Sequence, residues 1–309
     1  MDIDKSFLNY SLIYICSFFY GLFIFYIVSF WSFDYTALVK TIIAYRADES
    51  IDFLYSLGNN TVLLSVWDLL FINISPENSV SLLYGFAATL RFIVFFSIFR
   101  FQLALPAFMA TMVFMDINTC RYSIIVSLLL IMLRRLGPIK SSLIFFSFHI
   151  LSPALIFMIS TWNKFWRSLI IIFIFALTLI LPALFTRHFD TTTSDDFPRI
   201  TYIFILFSLV LLISFIKELK KYRFNYFILA AGVMIFTLSN VPFGNAYYLR
   251  FALVAFDSLL ILIAYHYSNL PDLSSLKLGS IKYGSYFCIC MLSFLYTSLL
   301  IGGNIWRFF

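Results

Sequence analysis

Long apolar runs separated by short basic turns constrain this chain more than any other feature in it. A helix that crosses a bilayer needs roughly 17–25 mostly apolar residues. Runs of this kind fall at 8–32, 80–99, 102–114, 122–133, 168–185, 200–216, 226–241, 251–267 and 283–301. The runs at 102–114 and 122–133 are short, so their helices take in polar residues from the segment between them. Of the 309 residues, 62% are hydrophobic and 12% are charged, too few charges to cover a water-soluble domain of this length. Lipid removes that requirement and asks only that backbone hydrogen bonds close internally, as they do in helices. The expected fold class is an all-α polytopic integral membrane protein, a single transmembrane domain over 1–309 with about ten crossings.

Two stretches are less regular. Residues 61–74 are apolar but interrupted by Asp68, and 141–160 are broken at Ser152-Pro153, where proline removes a helix hydrogen bond and restrains the residue before it. The second stretch is either a kinked span or a re-entrant hairpin. Lysine and arginine in short loops mark the cytoplasmic side. The clusters are Arg134, Arg135 and Lys140; Lys164 and Arg167; Lys217, Lys220, Lys221 and Arg223; and Lys277 with Lys282. The re-entrant reading puts all four on one side with Lys5 and Arg100, whereas a full crossing separates the first cluster from the rest. With the re-entrant reading, Lys40, Arg46, Arg91, Arg121, Arg187, Arg199, Arg250 and Arg307 belong to the outer face or to its helices, beside most of the acids. Residues 33–79 then form an outer amphipathic helical segment with apolar residues at spacings of three and four, and 186–199 form a polar outer loop. The first apolar run lacks a small-residue cleavage site and reads as a signal anchor.

Several chemistries find no foothold. There is no phosphate-binding glycine loop, no dinucleotide fingerprint, no zinc-protease motif and no nucleic-acid motif. The net charge of +6 is accounted for by the inner turns, so no nucleic-acid partner is expected. Cys16, Cys120, Cys288 and Cys290 have no metal-ligand spacing, and neither a metal nor a cofactor is expected. No inverted pair of broken helices stands out, which disfavours the common secondary-transporter folds.

Chemistry must therefore rest on polar residues within the spans and at the outer face. Arg121 closes the segment MDINTCR and opens an apolar run, where its planar fork suits a phosphate or pyrophosphate. The structural alternative is a snorkelling arginine paired with Asp116. Arg250 closes NAYYLR at the start of another span, after Tyr247 and Tyr248, which either stack on a sugar ring or belong to the interfacial aromatic belt. Arg91 lies in the middle of YGFAATLRFIVFF, where a charge costs at least about 2.5 kcal/mol, so it requires a partner such as mid-span Asp257 or a wet cavity. His149 precedes the Ser152-Pro153 break, placed either to reach a substrate or to bond a neighbouring carbonyl.

The segment from Asp116 through Arg121 to Leu133, the basic turn ending at Lys140, and FFSFHILSPALIF around His149 resemble the core of the EpsG/Wzy-type bacterial polysaccharide polymerases. Members of that family carry an arginine-led helix, a short basic turn and a histidine-bearing helix. Asp34-Tyr35 after the first span and the late YYLR block fit the same layout. The chain departs from it at Ser123-Ile124-Ile125, where the family often has a small residue, and in the two residues between His149 and Ser152.

The resemblance implies a multi-pass enzyme of the bacterial inner membrane with a periplasmic active face. It would join oligosaccharide repeat units carried on undecaprenyl pyrophosphate into O-antigen or exopolysaccharide, without a cofactor. The partners implied are lipid-linked glycan donor and acceptor and the surrounding membrane lipid, and dependence on a chain-length regulator stays open. Arg121 and Arg250 would bind pyrophosphate, with Arg91, Tyr247 and Tyr248 completing the substrate-binding set; His149, or Asp34 or Asp68, would assist the acceptor hydroxyl. The rivals are a flippase for lipid-linked oligosaccharide and an O-antigen ligase-like glycosyltransferase.

Overall fold

A computed structural model of the chain describes residues 2–32, 34–47, 62–118, 120–128, 130, 131, 196–220 and 280–305; between 252 and 268 it describes 252, 253, 256, 257, 259–261, 263, 264, 267 and 268. These residues are almost entirely helical, with no strand among them. The helices are α1 (Asp2–Trp31), α2 (Tyr35–Ala47), α3 (Val62–Leu70), α4 (Pro76–Ile98), α5 (Phe101–Met112), α6 (120–128), α7 (Asp196–Lys220) and α8 (Ser280–Ile305). Among the described residues, Tyr10–Trp31 and Pro76–Ile98 are long and apolar enough to cross a membrane. Phe101–Met112 and Tyr202–Phe215 are shorter apolar helices.

The chain divides into two compact units, residues 1–152 with 290–309, and residues 153–289. In the first, α1 and α4 run antiparallel. Thr89 bonds the Ser17 carbonyl at 3.3 Å, and one turn further along, Gly21 and Gly85 face each other. A methyl group on Gly85 would lie 2.9 Å from the Gly21 carbonyl oxygen, and one on Gly21 would collide with the Thr89 hydroxyl. Small residues are needed there because the two backbones approach too closely for a side chain between them. The opposite side of α1 is an aromatic surface, with Phe19 65% and Phe30 79% exposed. An exposed apolar surface of this kind marks a face that contacts a membrane or another protein.

The segment expected to be an amphipathic outer element contains α2 and α3. Leu38, Val39 and Ile42 of α2, at spacings of one, three and four, are buried with Leu64 of α3 against Ile24, Val28, Val80 and Leu83. The start of α4 follows from local chemistry. Ser75 caps it by accepting from the Asn78 amide at 3.4 Å, Pro76 occupies the first turn, and Glu77 favours the positive end of the helix dipole. The helix therefore begins four residues before the apolar run does.

In the second unit, α7 begins at Asp196, so the last residues assigned by sequence to the 186–199 loop open a helix instead. An acid and a proline are both suited to a first helical turn, which explains how DFPR can be helical without being apolar. Phe215 (φ −115°, ψ 16°) kinks this helix. Its ring packs against Tyr267 and Tyr286, with centroids 5.9 and 6.3 Å away, while Phe204 packs on Phe256 at 5.4 Å.

Gly85→Ala is expected to cost about 1–3 kcal/mol through overpacking. Gly284→Ala, whose added methyl meets nothing within 4 Å, is expected to be nearly neutral. Thermal unfolding of the detergent-purified variants measures the difference.

Candidate functional site

Arg91, on the inward face of α4, is fully buried beside Asp116, which lies in a π-helical stretch, Val113–Asn118, directly after α5. The wider turn of a π-helix re-aims side chains relative to an α-helix. The Arg91 Nε donates to Asp116 Oδ1 at 2.7 Å and Nη2 to Oδ2 at 2.5 Å. Nη1 donates to Thr111 Oγ1 at 2.5 Å and approaches Met115 Sδ at 3.8 Å, and Nη2 also reaches the Phe108 carbonyl at 3.3 Å. The guanidinium plane lies over the Phe108 ring, 4.1 Å from its centroid. Tyr20 of α1 donates to Asp116 Oδ2 at 2.6 Å, and Ser123 of α6 donates to Oδ1 at 2.9 Å.

This geometry reassigns two residues. The carboxylate partner of Arg91 is Asp116, where the sequence suggested Asp257, and Asp116 is therefore not reserved for Arg121. The Nε, Nη1 and Nη2 donors of Arg91 are all engaged inside the protein. Asp257 is itself buried, in the second unit, next to Phe256.

The Asp116–Ser123 bond also fixes the course of the chain. Seven residues of straight helix rise about 10.5 Å, more than an aspartate and a serine can bridge. The chain must bend back between α5 and α6, and this bend carries Cys120 and Arg121 to the end of the bundle where α1 passes into α2. Asp34 sits in that α1–α2 bend, and both its charge and that of Arg121 act on the Tyr84 hydroxyl and the Cys120 thiol. The Tyr84 hydroxyl also shares a hydrogen bond with Ser32 Oγ at 2.9 Å. Tyr35 donates to the Glu77 carbonyl at 2.9 Å and lies 3.2 Å from Ser81 Oγ. Two residues proposed from separate segments, Asp34 and Arg121, are both half-buried and both within electrostatic range of Tyr84 and Cys120. Sequence reasoning missed Tyr84 and Cys120, since nothing distinguishes one tyrosine among 19 or a thiol without metal spacing.

No family model, no curated protein and no solved structure matches the chain.

The remaining candidates divide in two. Both oxygens of Asp68 accept from Arg46: Nε lies at 3.1 and 3.2 Å from them, and Nη2 at 2.7 Å from Oδ1. Arg46 Nη1 also donates to the Ile74 carbonyl at 2.7 Å, tying α2 to the turn that precedes α4. Asp68 is thereby a clamp on this connection. His149, Tyr247, Tyr248 and Arg250 lie outside the described residues, as do the 141–160 break and the 186–195 part of the outer loop. Among the described residues no group of three His, Cys, Asp or Glu side chains is arranged to hold a metal ion.

Hydrogen bonding to Asp68 holds the Arg46 guanidinium above its ordinary pKa range. A cation whose pKa rises on folding adds stability below its unfolded value and loses that contribution as pH climbs through the folded value. The contribution of Arg46 is therefore expected to persist from neutral pH upward and to fade only in strong alkali. Asp68→Asn is expected to loosen the α2–α3 connection already at neutral pH, read as faster limited proteolysis between residues 47 and 62. At the buried pair, Asp116→Ala is expected to cost about 3–5 kcal/mol, because Arg91 keeps its charge without its counter-ion, and membrane accumulation of the variant measures that loss.

Proposed function

We propose that this protein is a polymerase that joins oligosaccharide repeat units carried on undecaprenyl pyrophosphate, working at the periplasmic face of the bacterial inner membrane through about ten membrane crossings. The observation that carries this reading is that a fixed cation, Arg121, and a carboxylate, Asp34, from distant parts of the sequence both act on Tyr84 and Cys120. It is supported by the resemblance of the segments around Arg121 and His149 to the EpsG/Wzy-type polymerases, and by helices with aromatic, lipid-exposed faces suited to substrates that never leave the bilayer.

In this scheme the acceptor sugar hydroxyl attacks the anomeric carbon of the donor. The new glycosidic C–O bond forms as the bond to the lipid pyrophosphate breaks, and the pyrophosphate departs with the electron pair. Arg121 neutralises charge on the departing oxygens, aided by the positive end of the α6 dipole. Asp34 takes the acceptor proton. Arg250, with Tyr247 and Tyr248, and His149 complete the donor and acceptor sites. Arg91 and Asp68 contribute through the frame.

Lipid-linked and surface glycans are compared in cells carrying the wild-type gene, a deletion, Arg121→Ala or Asp34→Asn at matched membrane levels. Loss of long polysaccharide with single-repeat glycan still at the surface is the expected result, with Asp34→Asn lowering polymer yield by about 10²–10⁴-fold, the usual contribution of a general base. Loss of all surface glycan would favour flipping or ligation, and unchanged glycan would overturn the reading.

A further inference from the structure

We infer that the Arg91–Asp116 network positions the turn that carries Arg121, and that it acts on that turn through Ser123. Neutralising Arg91 requires only the two-pronged contact with Asp116. Yet each carboxylate oxygen accepts a second bond from a hydroxyl on a different element, Oδ2 from Tyr20 on α1 and Oδ1 from Ser123 on α6. These bonds add nothing to the pairing of charges that the guanidinium does not already supply. They join α1, α4 and the π-helical stretch to the first turn of α6.

Ser123 stands two residues beyond Arg121 and is completely buried, with its Oγ also 3.4 Å from the Ala87 carbonyl of α4. Arg91 is in turn held by Thr111 and the Phe108 carbonyl of α5, so the anchor cannot drift as a unit along α4. The π-helical stretch fits this role. It lets Asp116 face Arg91 and Tyr20 on one side and still meet α6 as the chain returns. Only the consequence of this positioning for glycan synthesis rests on the function proposed above; the tether itself does not.

The buried Cys120 thiol, beside Tyr84, reports on the same turn. The test uses the full chain in native membranes with Cys16→Ser, Cys288→Ser and Cys290→Ala, and follows labelling of Cys120 by N-ethylmaleimide. Ser123→Ala is expected to speed labelling about tenfold, as one hydrogen bond to a charged group is lost and local opening becomes more frequent. Ser123→Thr, which keeps the hydroxyl, is expected to restore slow labelling. Ser127→Ala is the control, because Ser127 bonds only its own helix, at the Ser123 carbonyl. Arg91→Met combined with Asp116→Leu replaces the pair by apolar side chains that membrane helices tolerate, and is expected to speed labelling at least as much as Ser123→Ala. Wild-type labelling rates in Ser123→Ala and in the apolar pair, at equal membrane levels, would overturn the inference. Faster labelling with glycan unchanged in these variants and in Arg121→Ala would support the tether and defeat the polymerase reading. Faster labelling with shortened glycan would support both.

Discussion

A guanidinium buried inside a protein persists only where the hydrogens it carries meet acceptors, because water is not there to supply them. That demand organises the first unit of this protein. Arg91 draws Asp116 inward, and satisfying both groups recruits Thr111, the Phe108 carbonyl, Tyr20 and Ser123. Thr89 to the Ser17 carbonyl and Ser32 to Tyr84 add directional contacts, but these bridge only α1 and α4. Gly21 and Gly85 set how closely α1 and α4 approach, but such contact leaves rotation and sliding weakly specified. The ion pair supplies what small-residue packing lacks, a unique register. Buried pairs rarely add net stability, and a specifying role is the one for which they are best suited.

Much of this was legible in the sequence, and for definable reasons. The apolar runs announced helices, although the helix of the run at 80–99 starts at Pro76, where Ser75 and Glu77 supply the cap and the first-turn charge. The polar DINTC segment marked a break between two apolar runs, and the bend required by the Asp116–Ser123 bond lies there. The amphipathic spacing of Leu38, Val39 and Ile42 pointed to a helix with one buried face. What could not be read was partner choice. Arg91 had carboxylates available in several segments, and only the crossing of α4 with the π-helical stretch selects Asp116 over Asp257. The same holds for Asp68. Both of its oxygens accept from Arg46, 22 residues away, a pairing that no spacing in the sequence singles out.

The candidate site follows a division of labour between charges. Arg91–Asp116 and Arg46–Asp68 are both two-pronged pairs, one at 0% exposure and the other partly open to solvent. Each spends its capacity on holding backbone elements in place. Asp34 and Arg121 differ, being half-buried at a bend and at a helix start, where the backbone has only begun to cover them. Their signs are opposite, and their fields overlap on Tyr84 and Cys120.

The short connection between α4 and α5 bears on how the chain is made. Arg91 leaves the ribosome 25 residues before the carboxylate that neutralises it, and only Phe99 and Arg100 separate the two helices. In the membrane protein proposed above, α4 alone would carry an uncompensated cation into lipid. Once α5 and the π-helical stretch have followed, the two segments can fold into a hairpin whose charges cancel. A helical hairpin, and not a single helix, would then be the unit of insertion.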